Sequence, residues 1–120
     1  MISDIEKAAD IKRLLVRFYD VAAHDDLIGP IFAELANSEL HRQDLYHYWG
    51  AVLLDKQDSG HHVFPVHIQF MERPQHFIRW LSLFLGTIDS LFSGPNAERA
   101  KIIVIRKSEE FQAVLEIFRF

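Results

Sequence analysis

Between Asp10 and Ala23 the apolar positions Ile11, Leu14, Leu15, Phe18, Val21 and Ala22 recur at three and four residues, the spacing of one helix face, with Tyr19 at its border. The period breaks over Leu27-Ile28-Gly29-Pro30-Ile31-Phe32, where Pro30 suits the first turn of a new short helix, so a corner is predicted there. Asn37 or Ser38 is the candidate N-cap of a helix reaching about Asp55. Its stripe is His41, Leu45, Tyr48, Trp49, Val52 and Leu53, which turns His41 inward. From Lys56 to Pro74 no period is sustained, and Gly60 and Pro65 punctuate a segment that reads as a loop with one helical turn at most. Pro74 opens the strongest pattern of the chain, with Phe77, Trp80, Leu81, Phe84, Leu85, Ile88, Leu91 and Phe92 on one face and Ser93-Gly94-Pro95 as its stop. A last helix is predicted from about Asn96 to Phe118, burying Ala100, Ile103, Val104, Phe111, Val114, Leu115 and Phe118. Ile102-Ile103-Val104-Ile105 alone reads as a strand, but no alternation is long enough to support one, and no repeat or low-complexity segment occurs. An all-α fold follows.

Composition sharpens that picture. A chain of 120 residues suits one hydrophobic core, so a single domain over 1–120 is expected. Apolar residues make up 49% and aromatics 12%, with ten Phe, which is more flat hydrophobic surface than an unliganded core of this size needs. Room for one buried ligand is the implication. A net charge of −4 leaves no basic footprint, which argues against nucleic acid or an anionic membrane surface as the main partner. The absence of Cys excludes a disulfide, a thiolate metal site, a cysteine nucleophile and any thioether attachment of a cofactor. Met1-Ile2-Ser3-Asp4-Ile5-Glu6 lacks the basic start and apolar run of a signal peptide, and no stretch is long and uncharged enough to span a bilayer. A cytoplasmic protein is therefore expected.

Any metal must be held by His or carboxylate. His67 follows Pro65 immediately before the most aromatic helix, where a short turn can present its ring at the edge of an apolar slot. His41 and Leu45 face the same interior from the preceding helix, Tyr19 offers a hydroxyl and Trp80 an indole N–H. The walls would come from Phe32, Leu45, Tyr48, Phe70, Phe77, Leu81 and Phe84. A neutral imidazole, an apolar slot and a few polar groups opposite are what a haem requires. Each residue also has a plainer reading. A lone His in a loop is usually solvated, His41 on an apolar stripe is more often a satisfied core histidine, and Tyr19, Tyr48, Trp49 and Trp80 at helical spacing are more often packing residues. His61 and His62 near Asp58 suggest a divalent metal site or a small hydrolase centre, but adjacent side chains point apart and Gly60 favours a simple turn. His24, His47 and His76 fall on solvated faces, and Arg106-Lys107-Ser108-Glu109-Glu110 reads as an exposed helix face.

Over essentially its whole length the chain resembles the group III truncated haemoglobins. The resemblance rests on Phe18-Tyr19, Leu27-Ile28-Gly29-Pro30-Ile31-Phe32, Tyr48-Trp49-Gly50 after His41, and His76-Phe77-Ile78-Arg79-Trp80-Leu81-Ser82-Leu83-Phe84. The chain also has no Gly-Gly pair, as that group lacks the paired glycines of other truncated globins. It departs from the group in a short stretch between His67 and Trp80, where Met71-Glu72-Arg73 replaces a more proline-rich run. The resemblance implies a two-over-two helical sandwich around one non-covalent b-type haem, with His67 on the iron and Phe32 packed on the porphyrin. It implies that Tyr19 and Trp80 hydrogen-bond the iron-bound ligand and that His41 stands at the distal gate. Binding of O2, CO and NO is the expected function, with NO- or peroxide-related turnover if an external reductant is supplied. The rival is a haem-free or haem-sensing helical signalling module.

Overall fold

The computed structural model describes residues 2–35, 38–55 and 73–117, with the side chains of Glu34, Leu35 and Ile117 excepted. His61, His62, His67, Phe70 and Phe118 lie outside the described residues, as does Asp58. All regular structure among the described residues is helical: α1 (Ala8–Ala23), α2 (Gly29–Leu35), α3 (Glu39–Leu54), α4 (Pro74–Leu91) and α5 (Pro95–Ile117).

The amphipathic stripe of α1 is buried as its spacing predicts, through Ile11, Leu14, Leu15, Phe18 and Ala22. The corner after it is built on Asp25. Its Oδ2 accepts from the backbone N–H groups of Leu27 and Ile28, both at 3.0 Å, and its carbonyl accepts from Gly29 N at 2.8 Å. A Cβ on Gly29 would come within 2.8 Å of the Ala23 carbonyl oxygen, so the close return of the chain there requires glycine. Helix α2 then carries Phe32 into the core, where it is fully buried.

Ser38 is the N-cap of α3: its side chain accepts from His41 N at 3.2 Å. Pro74 opens α4, where a missing N–H costs no helical bond. Helix α1 packs on α2, α3 and α4, and α5 packs on α4 and α3, so the four longer helices form a closed ring of contacts. Its centre is aromatic. Phe84 of α4 lies 4.5 Å from Phe18 of α1, 5.6 Å from Trp49 of α3 in a stacked arrangement, and 5.8 Å from Trp80, measured between ring centroids.

The α4–α5 junction differs from a simple glycine stop. Residues from the start of the chain cross it: Ser93 N donates to Ser3 O at 3.0 Å, and Ile5 is fully buried. Asp4 caps α5, its carboxylate accepting from Asn96 N at 3.0 Å and Ala97 N at 2.8 Å, while the Asn96 side-chain amide donates to Ile5 O at 2.7 Å. Gly94 adopts φ 145°, and a Cβ there would sit 2.5 Å from the Asp4 Cγ.

One correction concerns α5. Ser108, read from the sequence as part of an exposed charged face, is fully buried. Its hydroxyl is placed to donate to the Phe77 carbonyl at 3.4 Å, and it accepts from the Gln112 amide at 3.0 Å. A small hydroxyl can lie on the seam between two helices because neighbouring backbone supplies its partner, and charged flanking residues conceal that from pattern reading.

Candidate functional site

Phe18 and Tyr19 are consecutive on α1, so a helical advance of about 100° sends the first into the core and leaves the second at its edge. From across the gap, the Ser38 cap fixes the first turn of α3 and with it His41. The two meet: Tyr19 Oη and His41 Nε2 share a hydrogen bond of 2.6 Å. With His41 protonated on Nδ1 the hydroxyl donates; with the proton on Nε2 it accepts. Burial raises the Tyr19 phenol well above the ordinary tyrosine value, so it stays a neutral hydroxyl throughout the physiological range. Burial lowers His41 below the usual imidazole value, only partly opposed by the Asp44 carboxylate, so at neutral pH this side chain is uncharged as well.

Around this pair the surround is aromatic and apolar. Tyr19 lies 5.5 Å from Phe32 and 6.0 Å from the His41 ring, and Phe18 lies 5.6 Å from both Tyr19 and Phe32. Contacts continue from Phe18 through Phe84 to Trp80, so one chain of rings joins His41 on α3 to the indole on α4. Leu45, one turn beyond His41, is buried in the same core, and Leu81 packs against it half-buried.

The predicted residues therefore divide into groups. Tyr19, Phe32, His41, Trp80 and Phe84 belong to one connected aromatic and polar array. Phe77 is fully buried, but its ring lies 5.4 Å from Phe111, on the α5 side. Tyr48 is buried too and joins the array through an edge contact at 5.3 Å with Trp49, whose ring stacks on Phe84; burial first, and the Glu110 charge second, raise its phenol. Phe70 and His67 fall outside the described residues, and so do His61 and His62. His24 and His47 are exposed as expected, whereas His76 is half-buried and accepts from Arg73 N at 3.4 Å at the start of α4. Among the described residues no group of three or more His, Cys, Asp or Glu is arranged to hold a metal ion.

Two residues absent from the predicted set complete the surround. Phe18 and Trp49 were placed on buried faces by their spacing, and the structure puts both against Phe84. Asp25 is the other omission of consequence. Its side chain is 7% exposed and its Oδ1 accepts from Arg79 Nε at 2.8 Å, tying the corner after α1 to the residue before Trp80. Its charge and its place in a loop gave no apolar period to follow, although Asp two and three residues ahead of paired backbone N–H groups is a turn signal.

Comparison of the chain with family models, with curated proteins and with solved structures finds no match.

Proposed function

We propose that this protein is a truncated globin of the group III kind, holding one b-type haem non-covalently through His67 and binding O2, CO or NO beside Tyr19, His41 and Trp80. The observation that carries the reading is the 2.6 Å bond between Tyr19 and His41, two uncharged polar side chains set among aromatic rings. A haem-bound diatomic ligand asks for that donor set: neutral hydrogen-bonding groups with apolar walls, and no fixed charge against the porphyrin. The closed ring of α1, α3, α4 and α5, with the short α2 at the corner, is compatible with a two-over-two sandwich.

When bound, haem supplies an iron that coordinates the gas and exchanges electrons with it. The chain supplies orientation and hydrogen bonds. Tyr19 can donate to a partially negative ligand only if its own proton is free, and the Nε2–H tautomer of His41 provides that by donating to the phenol oxygen. His41 is thus a positioning residue for Tyr19 as well as the half-buried side chain at the mouth of the site. Trp80, donor only, would be the second group to hydrogen-bond the ligand. A hydrogen bond to a charged group contributes about 1.5 to 3 kcal/mol, so each donor slows ligand release by roughly one to two decades. Slow release suits turnover of NO or peroxide with an external reductant better than transport.

The test is spectroscopic. The full chain purified with added haem should bind one equivalent and give ferric, ferrous and CO-bound spectra with a sharp Soret band. His67→Ala should lose stable incorporation. A wild-type chain that remains folded and takes up no haem overturns the reading, and full occupancy in His67→Ala overturns the ligand assignment.

A further inference from the structure

Outside the aromatic array, a cleft of about 300 Å³ opens between α1 and α3. Leu15, Val16 and Ala23 form its α1 side and Leu45 its α3 side. Tyr19 and Tyr46 add a ring from each helix, so an aromatic side chain stands on either wall. Val16 is 56% exposed at the mouth, an apolar surface left in water on an otherwise amphipathic helix.

Two charges line the cleft, and both are satisfied within their own helices. Asp20 pairs with Arg17 at 3.5 Å, and Arg42 pairs with Glu39 at 2.5 Å. An ionic ring would shed part of its hydration against apolar walls, and the charges it could recruit, Asp20 and Arg42, are exposed and already paired, where an ion pair contributes little. An uncharged molecule meets no such cost. Size narrows the class further. An apolar cavity of about 150 Å³ holds benzene, so this half-open cleft accommodates one ring with a small substituent. Offset or edge contact with the Tyr19 and Tyr46 rings favours a flat aromatic over a saturated ring of equal bulk.

We propose that the α1/α3 cleft is a binding site for a small uncharged molecule bearing one aromatic ring, of the phenol class, seated against Tyr19. No group invoked here requires bound haem, although Tyr19 and Leu45 are shared with the proposed haem surround. Tyr19 joins the two regions, with its ring on the cleft and its hydroxyl on His41.

The experiment is a titration of the full chain with phenol, followed by the side-chain NMR signals of Leu15, Val16, Ala23 and Leu45, with benzoate, benzylamine and cyclohexanol as companions. Saturable shifts at those four residues are expected with phenol, and at least about tenfold weaker binding for the two charged rings and for cyclohexanol. Val16→Trp, which covers the mouth from an exposed position, and Ala23→Leu, which fills the cleft from its α1 side, should each remove the phenol response while retaining the wild-type helical circular dichroism. Repeating the titration on haem-loaded and haem-free samples separates this site from the haem reading. Lack of haem uptake with intact phenol shifts would defeat the haem reading alone. No saturable shift, shifts elsewhere, equal affinity for a charged ring or for cyclohexanol, or an unchanged response in both folded variants overturns the proposal.

Discussion

The Tyr19 hydroxyl tests the polar pair most directly. Tyr19→Phe keeps the ring contacts with Phe18 and Phe32 and removes the bond to His41, so urea unfolding should show a loss of about 1 kcal/mol. In haem-loaded protein the same variant should release O2 faster by at least about tenfold and CO nearly unchanged, since bound CO carries little charge for a hydroxyl to stabilise. Stopped-flow dissociation rates for O2 within a factor of two of wild type would remove Tyr19 from the ligand network. His41 adds a pH signature. Its folded value lies below the unfolded imidazole value of 6.5, so between the two the unfolded chain binds more protons and stability rises with pH. The contribution is complete above about pH 6.5 and is lost as pH falls through that range toward the folded value. Denaturant midpoints measured between pH 5 and 8 should show this slope in wild type and a flatter profile in His41→Leu; parallel profiles would mean that His41 does not carry it.

At the scale of elements, helices α1 and α4 were legible from the sequence because each buries one continuous stripe, and Ile11, Leu14, Leu15 and Phe18, or Phe77, Trp80, Phe84 and Ile88, repeat with helical period. Ser38 was one of two candidate caps for the same reason that it works: a short side-chain oxygen just ahead of the stripe. The inward turn of His41 was also legible, because it shares that stripe; its partner was not, since nothing in the spacing of α3 encodes where Tyr19 of α1 will lie. Gly94 read as the stop of α4, but α4 ends at Leu91 with Phe92 as its C-cap, and Gly94 lies at the start of α5, where its carbonyl accepts from Glu98 N at 2.9 Å. The reason that glycine is needed there lies in tertiary structure. Its φ of 145° and the Asp4 side chain lying where a Cβ would be both exclude other residues. Gly94→Ala should therefore cost about 1 to 3 kcal/mol in chemical unfolding, well beyond the effect of an ordinary loop substitution. A change below 0.5 kcal/mol would show that the junction relaxes freely.

Across the whole molecule, two carboxylates join segments far apart in sequence, and neither carried a period to betray it. Asp25 reaches Arg79 across 54 positions, and Asp4 reaches Asn96 across 92. Burial pushes each carboxyl up, but for Asp25 the N–H groups of Ile28 and Leu27 with Arg79, and for Asp4 the N–H groups of Asn96, Ala97 and Ile5, outweigh it and hold both below the usual range. Their stabilisation is therefore present above the unfolded value of 3.8 and fades as pH falls through the folded values. Asp25→Asn should lower stability by about 1 to 2 kcal/mol at pH 7. That deficit should shrink under acid as wild type loses the same charge, and a deficit independent of pH would point to packing instead. The Asp4 cap has a consequence in time as well. The first amides of α5 have no carbonyl of their own helix to bond, and those of Asn96 and Ala97 are held by a carboxylate from the opposite end of the chain. Releasing them requires only that the strap around Ile5 lift, whereas releasing the amide of buried Val104 requires α5 itself to unwind. In deuterated solvent, Asn96 and Ala97 should exchange with markedly lower protection than Val104, and Asp4→Ala should erase their protection while leaving that of Val104 less affected. Equal protection at all three positions would mean that strap and helix open together, as one cooperative unit.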